Sequence, residues 1–202
     1  MRRSREEVTR AHARIVERAA VLFRERGIDG IGLADLMQEA GLTHGGFYRH
    51  FPSKDELVAA ACAQALTESA RRMRRRAQKD PTDPLGAVVK GFLSRDHVAD
   101  PGRGCAIAAL GSDIFRCGAE TRQAFTQGVA ELIAAMAELQ QEGSARERRE
   151  RAMTTLASML GAVIIARGVS DPELRDTMLE VMRRQLLGRA VGARARRTLH
   201  AR

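Results

Sequence analysis

The stretch from Asp35 to Leu57, DLMQEAGLTHGGFYRHFPSKDEL, constrains this chain more than any other. Leu33, Leu36, Met37 and Ala40 recur at helical spacing and predict a short amphipathic helix. Gly41 follows at once and can take the left-handed backbone that ends a helix. Thr43 is a good N-cap for a second helix from His44 to Phe51, which Pro52 must stop. Ser53 then caps a third helix, with Glu56 three residues on completing a capping box. Two short helices across a glycine turn read as a helix-turn-helix, whose second helix enters the DNA major groove.

The second helix is odd in what it presents. Phe47 and Phe51 lie four apart and can anchor one face. The rest offers His44, Gly45, Gly46, Tyr48, Arg49 and His50. Two glycines early in a helix cost about 1 kcal/mol each relative to alanine. Folding gives no reason for them, whereas close approach of a backbone to a groove or phosphate does. A Gly-rich loop before a single helical turn is the plainer alternative.

The segment GLTHGGFYRHFPSKDEL resembles the recognition helix and following helix start of the TetR family of bacterial transcriptional regulators. Upstream, ARIVERAAVLFRERGIDGIGLADLMQEA is similar to the first two helices of the same domain, so the resemblance covers residues 10–60. His44 stands where a Lys or a small residue is common in the family, and Gly46 where Thr, Ser or Ala is common. The resemblance implies Thr43, His44, Gly45 and Gly46 nearest the bases, with Tyr48, Arg49 and Lys54 on phosphates. It also implies an operator-binding repressor that a small molecule releases.

Around this unit the pattern is helical throughout, giving an all-α chain of about nine helices. The first runs from Arg5 to Arg26, with Ile15, Ala19, Leu22, Phe23 and the stem of Arg26 inward. A long helix follows Ser53 to Gln78, and then come Pro84–Ala99, Cys105–Phe115, Ala119–Gln141, Ala145–Gly168 and Asp171–Leu187. Three parts follow: a DNA-binding domain over 1–56, a helical bundle for effector binding and dimerisation over 57–187, and a basic tail over 188–202. The tail carries five Arg and no acid, and is expected to be disordered. It is read as a solvated terminus rather than a DNA-binding arm. Arg2, Arg3 and Arg5 are better placed for phosphates.

Net charge is +9 and falls to +4 without the last fifteen residues, so the expected partner, double-stranded operator DNA, rests on the helix-turn-helix and the resemblance; the Arg-rich end of the long helix (Arg71 to Lys79) reads as a solvated face. In the two last helices Leu156, Gly161, Val163, Ile164, Met178 and Met182 are expected at a homodimer interface, a helix pair doubled into a four-helix bundle. An effector cavity is expected among Phe92, Leu110, Ile114, Phe125, Met136 and Met159, with His97 and Asp113 orienting a small, largely apolar organic ligand. A filled core is the plainer reading of the same residues.

Catalytic motifs are missing: the sequence has no G-x-S-x-G, P-loop, His-Glu-x-x-His or Rossmann glycines. No enzyme activity, cofactor or metal is expected. The chain lacks a bilayer-length apolar run and a secretory h-region, so it is expected in the cytoplasm without a membrane partner. Cys62, Cys105 and Cys117 are an odd number and lack zinc spacing. Two rival functions stand beside the repressor. One is a thiol-based redox regulator using Cys105 at a helix N-terminus. The other is a nucleic-acid-binding protein indifferent to sequence.

Overall fold

The computed structural model describes the backbone of residues 5–200 and side chains from Arg5 to Gly188. Its described residues contain helices and no strand. The α-helices are α1 (Arg5–Arg26), α2 (Leu33–Glu39), α3 (Lys54–Lys79), α4 (Pro84–Phe92), α5 (Arg95–Ala99), α6 (Ala106–Ile114), α7 (Ala119–Glu138), α8 (Ala145–Gly168) and α9 (Pro172–His200). A 3-10 helix, His44–Arg49, lies between α2 and α3.

Among the described residues ten helices replace the expected nine, because Pro84–Ala99 is broken. The Ser94 hydroxyl accepts a hydrogen bond from His97 N at 3.2 Å and caps a new helix there. Other caps fall where the sequence puts them. The Asp83 carboxylate accepts from Gly86 N at 3.1 Å with Pro84 in the first turn, and Ser144 and Glu147 form a full capping box. The backbone of α9 runs on to His200, into the span expected to be a basic tail. Ala and Arg favour helix, and no proline follows Gly188 to stop it. Arg2, Arg3 and Arg202 lie outside the described residues.

The chain divides into two compact units. The first joins Met1–Ala70 to Pro101–Leu132, and the second joins Arg71–Asp100 to Ile133–Arg202. A cut at residue 56 therefore does not describe the packing, since a distant segment completes the N-terminal unit.

In the first unit α1 packs on α2 and α6, and α2 on the 3-10 helix. Ile15, Ala19, Leu22 and Phe23 are buried as their spacing predicts. The arginine turned inward is Arg24, not Arg26. Arg24 is 4% exposed, and its Nε donates to the Gly102 carbonyl at 2.7 Å with Glu68 3.5 Å from the guanidinium. Arg26 instead reaches out to Glu39, 3.7 Å away. Farther along, α7 meets α3 so closely that a Cβ on Gly128 would stand 2.5 Å from the Leu66 side chain. Only glycine fits that crossing.

In the second unit α4 and α8 pack on α9, and α5 on α8. Arg167 secures the end of α5, its guanidinium donating to the carbonyls of His97 at 2.9 Å and Val98 at 3.2 Å. No helix among the described residues is long and apolar enough to cross a membrane.

Candidate nucleic-acid interface

α2 ends as its sequence predicts. Gly41 has φ +70°, Gly41 N donates to the Gln38 carbonyl and Leu42 N to the Met37 carbonyl, both at 2.9 Å. This paired closure reverses the chain within three residues and aims the next segment.

That segment is a 3-10 helix rather than the expected α-helix to Phe51. Gly46 N donates to the Thr43 carbonyl at 2.9 Å, and His50 N to the Phe47 carbonyl at 2.8 Å. Two glycines weaken α-helix propagation, and Pro52 leaves little length to recover it, so the tighter winding is adopted. Thr43 occupies the N-cap position with an extended backbone, but its hydroxyl makes no capping bond. The hydroxyl therefore keeps its bonding capacity for another partner.

One side chain in this helix is buried. Phe47 is fully enclosed and stacks toward Phe51, ring centroids 5.8 Å apart, while His12 of α1 stacks on Phe51 at 4.4 Å. Around that anchor Thr43, His44, Gly45, Tyr48 and Arg49 are exposed and Gly46 half-buried. A Cβ on Gly45 would meet nothing within 4 Å. No packing contact inside the protein requires a glycine there.

α3 starts beside this surface. Ser53 Oγ accepts from Glu56 N at 3.2 Å, the half of the predicted capping box that is seen. Lys54 is half-buried, and its Nζ donates to the Ile31 carbonyl at 3.3 Å. The tether holds the ammonium in place and uses one of its three protons. No local pattern predicts this bond, which spans 23 residues.

The model of bacterial regulatory proteins of the tetR family matches residues 15–61, the span from mid-α1 into α3. The regulator TtgR of Pseudomonas putida is 38% identical over 94 residues, 46% of this chain and 44% of that protein. The chain thus aligns with less than half the length of that relative. The repressor DhaR of a Mycobacterium species is 27% identical over 86% of this chain and 90% of its own. Among solved structures, a TetR-family regulator from Chloroflexus aurantiacus is 26% identical with a TM-score of 0.66, covering 90% of this chain and 94% of that one. One from Cytophaga hutchinsonii shares the fold at a TM-score of 0.73 and 18% identity, covering 93% and 98%.

Residues 15–61 match the TetR family's DNA-binding domain. The chain's fold is the family's, an N-terminal helix-turn-helix followed by a helical domain.

The residues expected around an effector fall into both units. Phe92, His97, Met136 and Met159 belong to the second, and Leu110, Asp113, Ile114 and Phe125 to the first. Phe92, Leu110, Ile114, Met136 and Met159 are buried and Phe125 half-buried. The Asp113 carboxylate is engaged, accepting from Arg116 at 2.7 Å and from Ile28 N at 3.4 Å.

His97 is buried with its Nδ1 2.6 Å from the Phe92 carbonyl and its ring edge-on to Phe92. Burial, with Arg167, Arg76 and Arg72 nearby, pushes its pKa down to about 4. The ring is therefore neutral near pH 7, with the proton on Nδ1. The unfolded chain takes up this proton at a higher pH than the folded chain, so stability falls as pH drops from about 6.5 to 4. Over that window His97 should remove about 3 kcal/mol. Denaturant unfolding at pH 7 and pH 4.5 checks this: His97→Gln should lose less stability than the parent on acidification. An equal loss would remove His97 as the source.

The cysteines offer little to a redox switch. Burial raises the Cys62 thiol to about 12 and also raises Cys117. Cys105 is 4% exposed at the N-cap of α6, whereas reactive thiols sit in partly open surroundings.

On α8 the expected interface divides. Leu156 and Val163 are corrected, because both are buried within the chain's own fold. Ile164 is exposed, and Gly161, Met178 and Met182 half-buried. Met153, Ile165 and Leu174 are also exposed large apolar side chains, and Ile165 was not expected from the pattern.

Proposed function

We propose that this chain is a ligand-responsive transcriptional repressor that binds a palindromic operator as a homodimer. The observation that supports it best is the single-anchored 3-10 helix. Phe47 fixes it, and Thr43, His44 and Gly45 lie open on it, with no structural duty for the glycine's missing side chain. Names of relatives as regulators and repressors agree with this reading. Exposed apolar side chains along α8 and the start of α9 supply a surface for a second copy.

In this reading Tyr48, Arg49 and Lys54 hold phosphates and set register, while His44 and its neighbours meet base edges. Gly45→Ala separates fold from function. It should leave stability unchanged or raise it by up to about 1 kcal/mol, since the new methyl meets open space. The same variant should weaken operator binding by crowding the groove.

The test begins with footprinting of a palindrome beside the protein's own coding region. Arg49→Ala should then weaken operator and random duplex alike and flatten the salt dependence. His44→Ala should change base preference at one position, by about 1–3 kcal/mol. Equal affinity of the parent for operator and random duplex at every salt concentration would overturn the repressor reading.

The effector is proposed to be a small, largely apolar organic molecule. Release requires that it bind better to a state whose two recognition helices no longer match successive half-sites, about 34 Å apart on DNA. Phe92, Met136 and Met159 remain proposed contacts, although their burial means that a ligand must displace packed atoms to reach them.

A further inference from the structure

Three of the chain's five histidines, His12, His44 and His50, lie in or against the helix-turn-helix. Imidazole is the side chain that ordinarily gains and loses a proton between pH 5 and 8. The surroundings of the three differ. His12, exposed on α1, stacks on Phe51 with ring centroids 4.4 Å apart and faces the His50 ring at 6.3 Å. His44 is exposed at the first position of the 3-10 helix. Among the described residues its side chain makes no hydrogen bond and no ion pair.

The carboxylates of the neighbouring helices are directed elsewhere. On α2, which packs on the 3-10 helix, Glu39 is bonded to Arg18 and lies 3.7 Å from Arg26. Asp35 Oδ2 lies 3.5 Å from where a Cβ on Gly32 would stand. On α3, Asp55 Oδ2 lies 3.4 Å from the corresponding point at Gly118, and half-buried Glu56 makes no ion pair with His44. The charges that share the surface are the cations of exposed Arg49 and half-buried Lys54. A charged His44 thus gains no anion from its own protein. Duplex DNA supplies one, because its phosphates make the potential around a groove negative, and a nearby negative charge favours the protonated ring. Protonation also changes what the ring reads. Neutral imidazole has one donor and one acceptor, whereas imidazolium has two donors, which suits the two acceptors on the major-groove edge of guanine.

We propose that operator binding is coupled to protonation of His44, one proton being taken up at each half-site, so that acidification tightens binding and shifts base preference at the contacted position towards guanine. The sign follows from linkage, since the state that holds more protons is favoured as pH falls. The coupling is reciprocal: DNA draws the proton on, and the proton strengthens the hold on DNA. This deepens the repressor reading and rests on it for the DNA contact.

The test titrates operator and random duplex at pH 8, 7 and 6 at fixed ionic strength, a range in which folded His97 stays neutral. Operator affinity should rise at least about fivefold from pH 8 to pH 6. Calorimetry at pH 7 in two buffers of different ionisation heat should show the parent taking up protons as it binds operator. His44→Gln should lose most of both effects, and His12→Gln should keep them. Selection from a randomised operator should enrich guanine at one position of each half-site at pH 6 relative to pH 8. A parent that prefers operator over random duplex at pH 8, yet binds it no more tightly at pH 6, would overturn the coupling and leave the repressor reading standing. The coupling would also fall if His44→Gln kept the pH response, if His12→Gln lost it instead, or if the sequences selected at the two pH values were identical. A parent with no preference for operator at any pH would sink both. Proton uptake and selection are read on the parent, so misfolding of a variant cannot shield the proposal.

Discussion

Gly161→Arg should yield a folded monomer whose grip on the operator is lost. A side chain built at Gly161 meets nothing within 4 Å, so the chain has room for the substitution. Replacing a helical glycine also removes a penalty of about 1 kcal/mol. In a dimer the same position, beside exposed Ile164, would force a guanidinium into an apolar contact. Binding two half-sites through one linked pair strengthens affinity by about 10²–10⁴-fold over either alone, and that factor should disappear. Sedimentation and operator titration read the two effects. An intact dimer with normal affinity would place the interface elsewhere. Val163→Arg cannot serve as this test, because Val163 is wholly buried within the chain and the change would unfold it.

Phe47→Ala should have the larger effect on stability. Truncating a fully buried phenylalanine costs about 3–5 kcal/mol, against a total of about 5–15 kcal/mol for a whole domain. The loss should fall first on the 3-10 helix, which has no other buried side chain. DNA binding should vanish even at temperatures where most helix remains. Tyr48→Ala, one residue on, removes a ring that is 66% exposed and should change stability by no more than about 0.5 kcal/mol. Chemical denaturation of both variants decides the matter, and similar losses would mean that Phe47 is no anchor.

Much of the fold was legible because it is written locally. Prolines, glycines and capping residues mark helix ends, and α1 and α8 begin and end at the residues their patterns predict. What escaped is non-local or finely balanced. The segment after Pro101 joins the N-terminal unit through contacts such as Arg24 with Gly102 and Ile28 with Asp113, across about eighty residues, and no local period encodes them. The inward arginine of α1 was misplaced by two positions, since either stem can cover apolar surface and only the Gly102 carbonyl decides between them. On α8 apolar residues recur on more than one side, so periodicity could not tell Val163, buried in the chain, from Ile164, left outside. For the proposed DNA surface, residue types pointed to the exposed segment His44–Arg49. The 3-10 winding followed from a competition between two glycines and a proline that propensity alone does not settle.

The recognition segment hangs on one aromatic ring, and this separates two kinds of mutational target. Changes at Phe47 are tests of folding, whereas His44, Gly45 and Arg49 are exposed, and Tyr48, also exposed, meets only the edge of Phe47 among the rings. Variation at those positions is nearly free of a stability penalty, so it can accumulate while the fold persists. A scaffold of this kind can acquire a new DNA address one exposed residue at a time, without first being stabilised elsewhere. Libraries randomised at His44, Gly45 and Gly46 should consequently remain mostly folded, and would be a direct route to redirecting where the protein sits on a genome.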